Sequence, residues 1–389
     1  MDIIKKNQFT GSNNIAKPDR LPEGAVVEAV NVDFTVGNKA ELRAGFELVR
    51  EEPGTRAVFE MGGEALALIV DDQLIKVTPY GETLLGAVAD GPVAAVWHAG
   101  ELFLNTVNDS VRIGESRRAW SVPAPAFDVS LEAGYMQPGV YKVAVTAVDG
   151  GIESGCQPAI VSVGEGQAIR VVVGDDRECR LYCSQPNGLT LYHQGIAYGT
   201  NKIPANILDD SARLETAGLY SLPFCSMLIS HQALIVGAQG KFLYHTHPMW
   251  PHLHNPEADY IPFPAPISLI ASVEGGVFVC ADKTYFITGL GGPDLAQRTV
   301  AEFGAIEGTD VTLPDGSVAW FTRYGQAIGR ADGSIELANR KDYAPDTAPV
   351  GAAGLLEHNG NQMVVTTMQG GVSGSGLRSA DHIDLEVIQ

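Results

Sequence analysis

Four histidines close together are the side chains of this sequence best suited to chemistry. They lie in the segment HTHPMWPHLHNP and are His245, His247, His252 and His254. A His-x-His pair on a strand places both imidazoles on one face, which suits zinc or another transition metal. The prolines Pro248, Pro251 and Pro256 interrupt any such strand. We therefore predict a proline-stiffened loop at a protein–protein contact, with Trp250 as its anchor and with no bound metal.

Other catalytic patterns are absent from the sequence. It has no Gly-x-Ser-x-Gly elbow, no P-loop, no Gly-x-Gly-x-x-Gly after a strand and no His-Glu-x-x-His. The aspartates fall in predicted hairpin turns, where they have a local role. We predict no catalytic residues, no cofactor and no enzymatic activity. The alternative is a glycan hydrolase with two carboxylates that face each other across a channel.

The composition is that of a packed globular protein. Of 389 residues, 45% are hydrophobic and 19% are charged, and Lys+Arg 26 against Asp+Glu 46 gives a net charge of −20. Such a surface repels phosphate, which disfavours DNA recognition. Two interpretations stay open: general solubility, or an acidic wall past which DNA slides. The five cysteines are odd in number and predicted to be reduced. Without a signal peptide or a long apolar run, we expect a soluble protein made in the cytoplasm.

The elements that must position these residues are predicted to be strands. No window shows a sustained helical stripe, whereas a unit of about forty residues recurs, with three apolar runs separated by two turns. The copies are Ala57–Thr78, Ala94–Gly114, Ser226–Thr246, Ile270–Gly289, Thr312–Arg330 and Ala353–Gln369. Turns such as Gly62-Gly63, Gly275-Gly276 and Asn359-Gly360 separate the first two runs. This period is typical of β-propeller blades.

One gap between copies is longer than the rest by about 90 residues, close to the roughly 100 of an immunoglobulin-like sandwich. Its stretch PGVYKVAVTAVDGGIESG resembles a fibronectin type III or related domain. We therefore predict an all-β fold, a β-propeller of about six blades with an inserted immunoglobulin-like β-sandwich. The predicted parts are a 1–50 N-terminal arm and closing strand, 51–121 propeller, 122–215 inserted sandwich, 216–375 propeller and 376–389 C-terminal tail.

The N-terminal sequence resembles the opening of a family of tailed-bacteriophage virion proteins. The shared residues are Phe9, Gly11, Asn14, Leu21, Pro22, Gly24, Ala25, Asn31, Val32, Asp33, Leu42, Arg43, Gly45 and Phe46. The stretch from the histidines through GVFVCADKTYFITG is also similar to that family. The inserted sandwich departs from the pattern, which puts in doubt the part of the tail to which the protein belongs.

The resemblance implies a structural protein of the virion tail. It implies a hub, nozzle or tip-proximal ring, with six copies of the chain, neighbouring tail proteins and tail fibres as partners. DNA would pass through the ring without specific recognition, and no part would enter a membrane. The alternative is a tail-associated glycan-binding protein or a propeller glycan hydrolase.

Overall fold

The chain folds almost entirely into β-strands. The computed structural model describes residues 8–29, 32–34, 37–43, 51–338, 340–344, 348–358, 361–369 and 383–387. In these ranges the one helical element is a 3-10 turn at Pro18–Arg20. None of the helices in the described ranges has the length and apolar character needed to cross a bilayer. The prediction of an all-β fold is therefore confirmed.

The N-terminal arm contains two short strand pairs. Strand β1 (Gly11–Ser12) pairs in parallel with β2 (Ala25–Val26), and β3 (Val32–Phe34) pairs antiparallel with β4 (Ala40–Leu42). Within its described residues, the arm adds no strand to any of the larger sheets. This differs from the predicted closing strand in residues 1–50.

Two four-stranded sheets of consecutive strands follow the arm. Their strands are β5 (Thr55–Glu60), β6 (Leu66–Val70), β7 (Gln73–Thr78), β8 (Gly81–Ala87), β9 (Val93–His98), β10 (Glu101–Thr106), β11 (Ser110–Ile113) and β12 (Arg117–Ala119). A single buried cluster that includes Ile69, Leu74, Leu102 and Ile113 joins the two sheets. The sheets therefore pack face to face.

The next eight strands form two further antiparallel sheets that share one core. They are β13 (Phe127–Ala133), β14 (Gly139–Asp149), β15 (Ile152–Glu153), β16 (Ala159–Val163), β17 (Gln167–Val173), β18 (Glu178–Ser184), β19 (Leu191–Ala197) and β20 (Gly199–Lys202). One sheet has the order β13-β17-β20, and the other has β15-β14-β18-β19 with β16 also paired to β14. Tyr141 and Val145 from one sheet and Ile169 and Val171 from the other belong to the same buried cluster.

Three more four-stranded sheets continue the repeat. Their strands are β21 (Met227–His231), β22 (Leu234–Gln239), β23 (Phe242–His245), β24 (Tyr260–Pro262), β25 (Leu269–Val273), β26 (Gly276–Cys280), β27 (Thr284–Thr288), β28 (Ala296–Ala301), β29 (Val311–Thr312), β30 (Val318–Thr322), β31 (Gly325–Gly329) and β32 (Ile335–Leu337). Every residue of β26 and β30 is buried. A strand that is buried on both faces does not need to alternate between apolar and polar residues, which explains the continuous apolar sequence GVFVC of β26.

The last sheet has three strands: β33 (Val350–His358), β34 (Asn361–Gln369) and β35 (Ile383–Val387). Its third strand comes from the predicted C-terminal tail instead of from the arm. The predicted turn Asn359-Gly360 lies outside the described residues, as does most of 376–389. At the predicted turn Gly275-Gly276, the second glycine instead begins β26.

The strands group into two compact units. One unit comprises the described residues of Met1–Thr55, Ala238–Leu243 and Pro262–Gln389, and the other comprises Arg56–Gly237 and Tyr244–Ile261. The eight-strand insert and the histidine segment both belong to the second unit.

Candidate functional site

The histidine segment between β23 and β24 folds back on itself as a compact loop. The Trp250 N–H donates to the His247 carbonyl over 2.9 Å, and the Leu253 N–H donates to the Trp250 carbonyl over 3.0 Å. Met249 lies at the apex with a φ of +68°, in the left-handed region that a side chain rarely adopts. The loop shape follows from the prolines, which deny the segment the donors that a sheet ladder needs.

Three of the four imidazoles hydrogen-bond to main-chain carbonyls. His245 Nδ1 lies 2.9 Å from the Thr246 oxygen, His254 Nδ1 lies 3.0 Å from the His245 oxygen, and His252 Nε2 lies 3.0 Å from the Glu153 oxygen. Because a carbonyl only accepts, each of these ring nitrogens carries the proton and donates it. A nitrogen that donates in this way cannot bind a metal.

His247 is the exception, because its Nδ1 lies 3.1 Å from Asp259 Oδ2. That carboxylate is buried and also accepts the Asn255 N–H over 2.8 Å. Among the residues that the structure describes, no group of three or more His, Cys, Asp or Glu side chains is arranged to hold a metal ion. That the segment binds no metal stays a prediction.

Burial controls the protonation of the segment. Desolvation lowers the pKa of His252 and of His254 below the ordinary imidazole value. The hydrogen bond to Glu153 partly offsets the effect at His252. These rings are therefore neutral donors near pH 7, as a structural hydrogen bond requires.

The segment also contacts the chain where it enters and leaves the insert. Trp120 Nε1 donates to the Pro251 carbonyl over 2.9 Å. The N–H of Tyr220 donates to the His254 carbonyl over 2.9 Å, and the N–H of His254 donates back over 2.7 Å. Together with the His252–Glu153 bond, these contacts define what we call the seam: Trp120, residues 150–156, residues 216–220 and residues 250–254.

A second set of contacts closes the seam on its other side. Thr216 Oγ1 donates to the Ser154 carbonyl over 2.9 Å, and the Gly218 N–H donates to the Cys156 carbonyl over 2.9 Å. A Cβ on Gly155 would lie 1.9 Å from the Leu219 carbonyl oxygen. Only glycine permits so close an approach, so the insert is fastened to the exit segment along its backbone.

Glu153 anchors the same stretch from inside the insert. Its carboxylate accepts the Tyr182 hydroxyl over 2.8 Å and the Thr146 hydroxyl over 2.5 Å, and Arg180 Nη1 lies 3.6 Å away. Desolvation and the bond to Glu153 raise the pKa of Tyr182. Glu153 has no sequence signal of its own, and only the Gly-Gly turn just before it marks the position.

Trp250, the predicted anchor of a protein contact, is only partly accessible. Its ring packs edge-on against His252, with centroids 5.7 Å apart. The exposed apolar side chain of the loop is Met249, at 80% exposure. The aromatic residue therefore supports the loop, and the neighbouring methionine faces solvent.

The arm residues shared with the phage family make contacts within their own unit. Arg43 Nε lies 2.8 Å from Asp33 Oδ1, and the rings of Phe9 and Phe34 are 6.4 Å apart. The Asn14 amide forms two hydrogen bonds with the main chain of Ala344, each 2.8 Å long. The shared positions Asn31, Gly45 and Phe46 lie outside the described residues.

The five cysteines are free, in agreement with the expected reduced state, and all five are buried. Burial raises the pKa of Cys156, Cys183, Cys225 and Cys280 to about 12. A thiol with so high a pKa is not a nucleophile at neutral pH. These side chains therefore serve as small core residues.

Comparison with known proteins gives only distant likenesses. No protein-family model matches the chain, and no curated protein sequence matches it. It is similar to BBS1N in complex with ARL6DN, at 11% identity over 83% of this chain and 91% of that chain, with a TM-score of 0.34. It is similar to apo AztD from Citrobacter koseri, at 12% identity over 72% of this chain and 84% of that chain, with a TM-score of 0.28. It is similar to Kluyveromyces lactis Hsv2, at 8% identity over 84% of this chain and 94% of that chain, with a TM-score of 0.28. Likenesses at this level do not bear on what the chain does.

Proposed function

We propose that the protein is a non-catalytic structural component of a larger assembly, with a β-propeller of about six blades as its scaffold. Six successive antiparallel sheets support the scaffold, and several neighbouring ones share a core. One cluster links Phe278 with Trp320, and another links Ala319 with Val364. Blades of a propeller stack face to face in this way.

The insert at 122–215 is proposed to be an immunoglobulin-like sandwich of the fibronectin type III kind. Its two antiparallel sheets share one core, which is the architecture of that class. Strand β14 lies between β16 and β18, and β18 lies between β14 and β19. In this proposal the insert is a rigid attachment, because the seam holds it at several points.

One observation carries the structural role over an enzymatic one. Three of the four histidines donate a hydrogen bond to a main-chain carbonyl, at Glu153, His245 and Thr246. The donating nitrogen of each ring positions backbone and cannot itself bind a substrate. The histidine segment then holds the insert at 122–215 in a fixed place. A protein on which other proteins assemble needs its domains to be fixed in this way.

The proposed assembly is the tail of a bacteriophage particle, with further copies of this chain in a ring of about six, neighbouring tail proteins and tail fibres as partners. The N-terminal resemblance supports this assignment. The net charge of −20 fits a wall past which DNA moves without binding.

Purified particles from the source provide the test. We expect mass spectrometry to detect the chain and cryo-microscopy to show it in the tail, with the host cell lysate as the control for contamination. Detection on the capsid alone would remove the tail assignment. Absence from the particles would refute the assembly role. Release of reducing ends from host polysaccharide by the pure protein would instead support the hydrolase alternative.

A further inference from the structure

Arg112 in β11 has a hydrogen-bond donor without an acceptor. The residue is 9% exposed, and its Nη1 donates to Glu101 Oε2 over 3.3 Å. Its Nε is enclosed and has no partner. Burying a donor of a charged group without an acceptor is costly, so an acceptor that reached Nε after a small movement of the enclosing side chains would stabilise Arg112.

A second arginine lies directly opposite the first. Arg118 in β12 is the register partner of Arg112. Opposing residues of an antiparallel pair place their side chains on the same face, and like charges in this position repel. Arg118 is exposed, and its Nε donates to Ser116 Oγ over 3.1 Å. A negative group between the two guanidinium groups would remove the repulsion.

The two arginines lie beside the seam. Arg118 Nη1 lies only 1.5 Å from the position of a Cβ on Gly150, so the guanidinium rests on the glycine turn of the insert. Burial is the larger cause that lowers the pKa of His252, and the positive charge of Arg112 adds to it.

We propose that this corner of the seam binds one small oxyanion, a phosphate or a carboxylate, between Arg112 and Arg118. A guanidinium presents its donors in a planar fork that fits such an ion. Glu101 neutralises only one of the two arginines.

The test is calorimetric titration of the full chain with inorganic phosphate and, separately, with acetate. Ionic strength is held constant with chloride in both titrations. We expect one site per chain for at least one of the two ions. The ion with the higher affinity shows whether the ligand is a phosphate or a carboxylate. Binding of either ion supports the site.

Two variants locate the binding. R118M removes an exposed arginine. R112K keeps the positive charge but lacks the planar set of N–H donors of the guanidinium group. Each is expected to weaken binding by about tenfold or more. R170M, which removes an exposed arginine of β17, is the matched control and is expected to bind as the wild type does. The proposal is overturned if neither ion binds, or if R118M binds as tightly as R170M. Should R112K fail to fold, R118M decides alone.

Discussion

Acidification is expected to weaken the unit formed by Arg56–Gly237 and Tyr244–Ile261, because burial lowers the pKa of four of its histidines. They are His98, His231, His252 and His254, each at most 6% exposed. Desolvation lowers the pKa of every one below the ordinary 6.5. A group of this kind takes up a proton more readily in the unfolded chain. Its contribution to stability is therefore complete above pH 6.5 and is lost as the pH falls below that value.

The size of the effect follows from proton linkage. A histidine that stays neutral in the folded protein and is protonated in the unfolded chain changes the free energy of unfolding by up to about 1.4 kcal/mol per pH unit. Four such groups together reach at most about 5.5 kcal/mol per pH unit. Since typical domains are stable by about 5–15 kcal/mol, even a part of this maximum slope would be measurable by unfolding.

The assay is urea unfolding followed by tryptophan fluorescence at pH 7.5, 6.5 and 5.5, for the wild type and for H252Q. Glutamine can still donate to the Glu153 carbonyl but does not titrate. At pH 7.5 the difference in the free energy of unfolding between the two proteins does not depend on the titration of His252. This difference is the reference value for the measurements at lower pH. Below pH 6.5 the variant should lose stability less steeply, by up to about 1.4 kcal/mol per pH unit. Parallel curves below pH 6.5, or a wild type unaffected between pH 7.5 and 5.5, would refute the reasoning.

Three further substitutions test other contacts. W120F removes the indole donor to Pro251, and urea unfolding should show a loss of about 1–3 kcal/mol; an unchanged midpoint would contradict this role. G155A places a methyl group against a carbonyl oxygen, so limited proteolysis should cleave near residues 216–220, whereas protection equal to wild type would argue against a tight seam. N14A deletes both bonds to Ala344, and hydrogen exchange in the arm should quicken by roughly two- to tenfold; unchanged exchange would show that other contacts hold the arm.

The repeat could be predicted from the sequence because each unit carries its own signal. Strands β6, β10, β22, β26 and β30 each contain a run of at least three apolar residues, and a turn lies on either side of each. Such signals are local, since a few neighbouring residues set both the strand and its hairpin. The place of the third strand in the last sheet could not be predicted, because the sequence of that strand does not show which edge it will join.

The roles of the histidine segment could not be predicted, because its partners are distant in the sequence. His252 bonds to a residue 99 positions away, and Trp120 bonds to one 131 positions away. The spacing HTHPMWPHLH indicates which atoms are present but not which carbonyls face them. Arg112 and Arg118 are close in the sequence, but they share a face only because of the hairpin register between β11 and β12, which the sequence alone does not fix.

The docking of the arm on Asp342 and Ala344 has a consequence for how the chain is made. Asn13 donates to an aspartate that lies 329 positions later in the sequence. At typical rates of translation the ribosome needs roughly 15–65 s to reach that residue. For all of that time the first segment to emerge lacks its partner, while the sheets behind it can form one after another. The attachment of the arm is thus a late step of biogenesis, and neighbouring nascent chains on one messenger would compete for each other's arms.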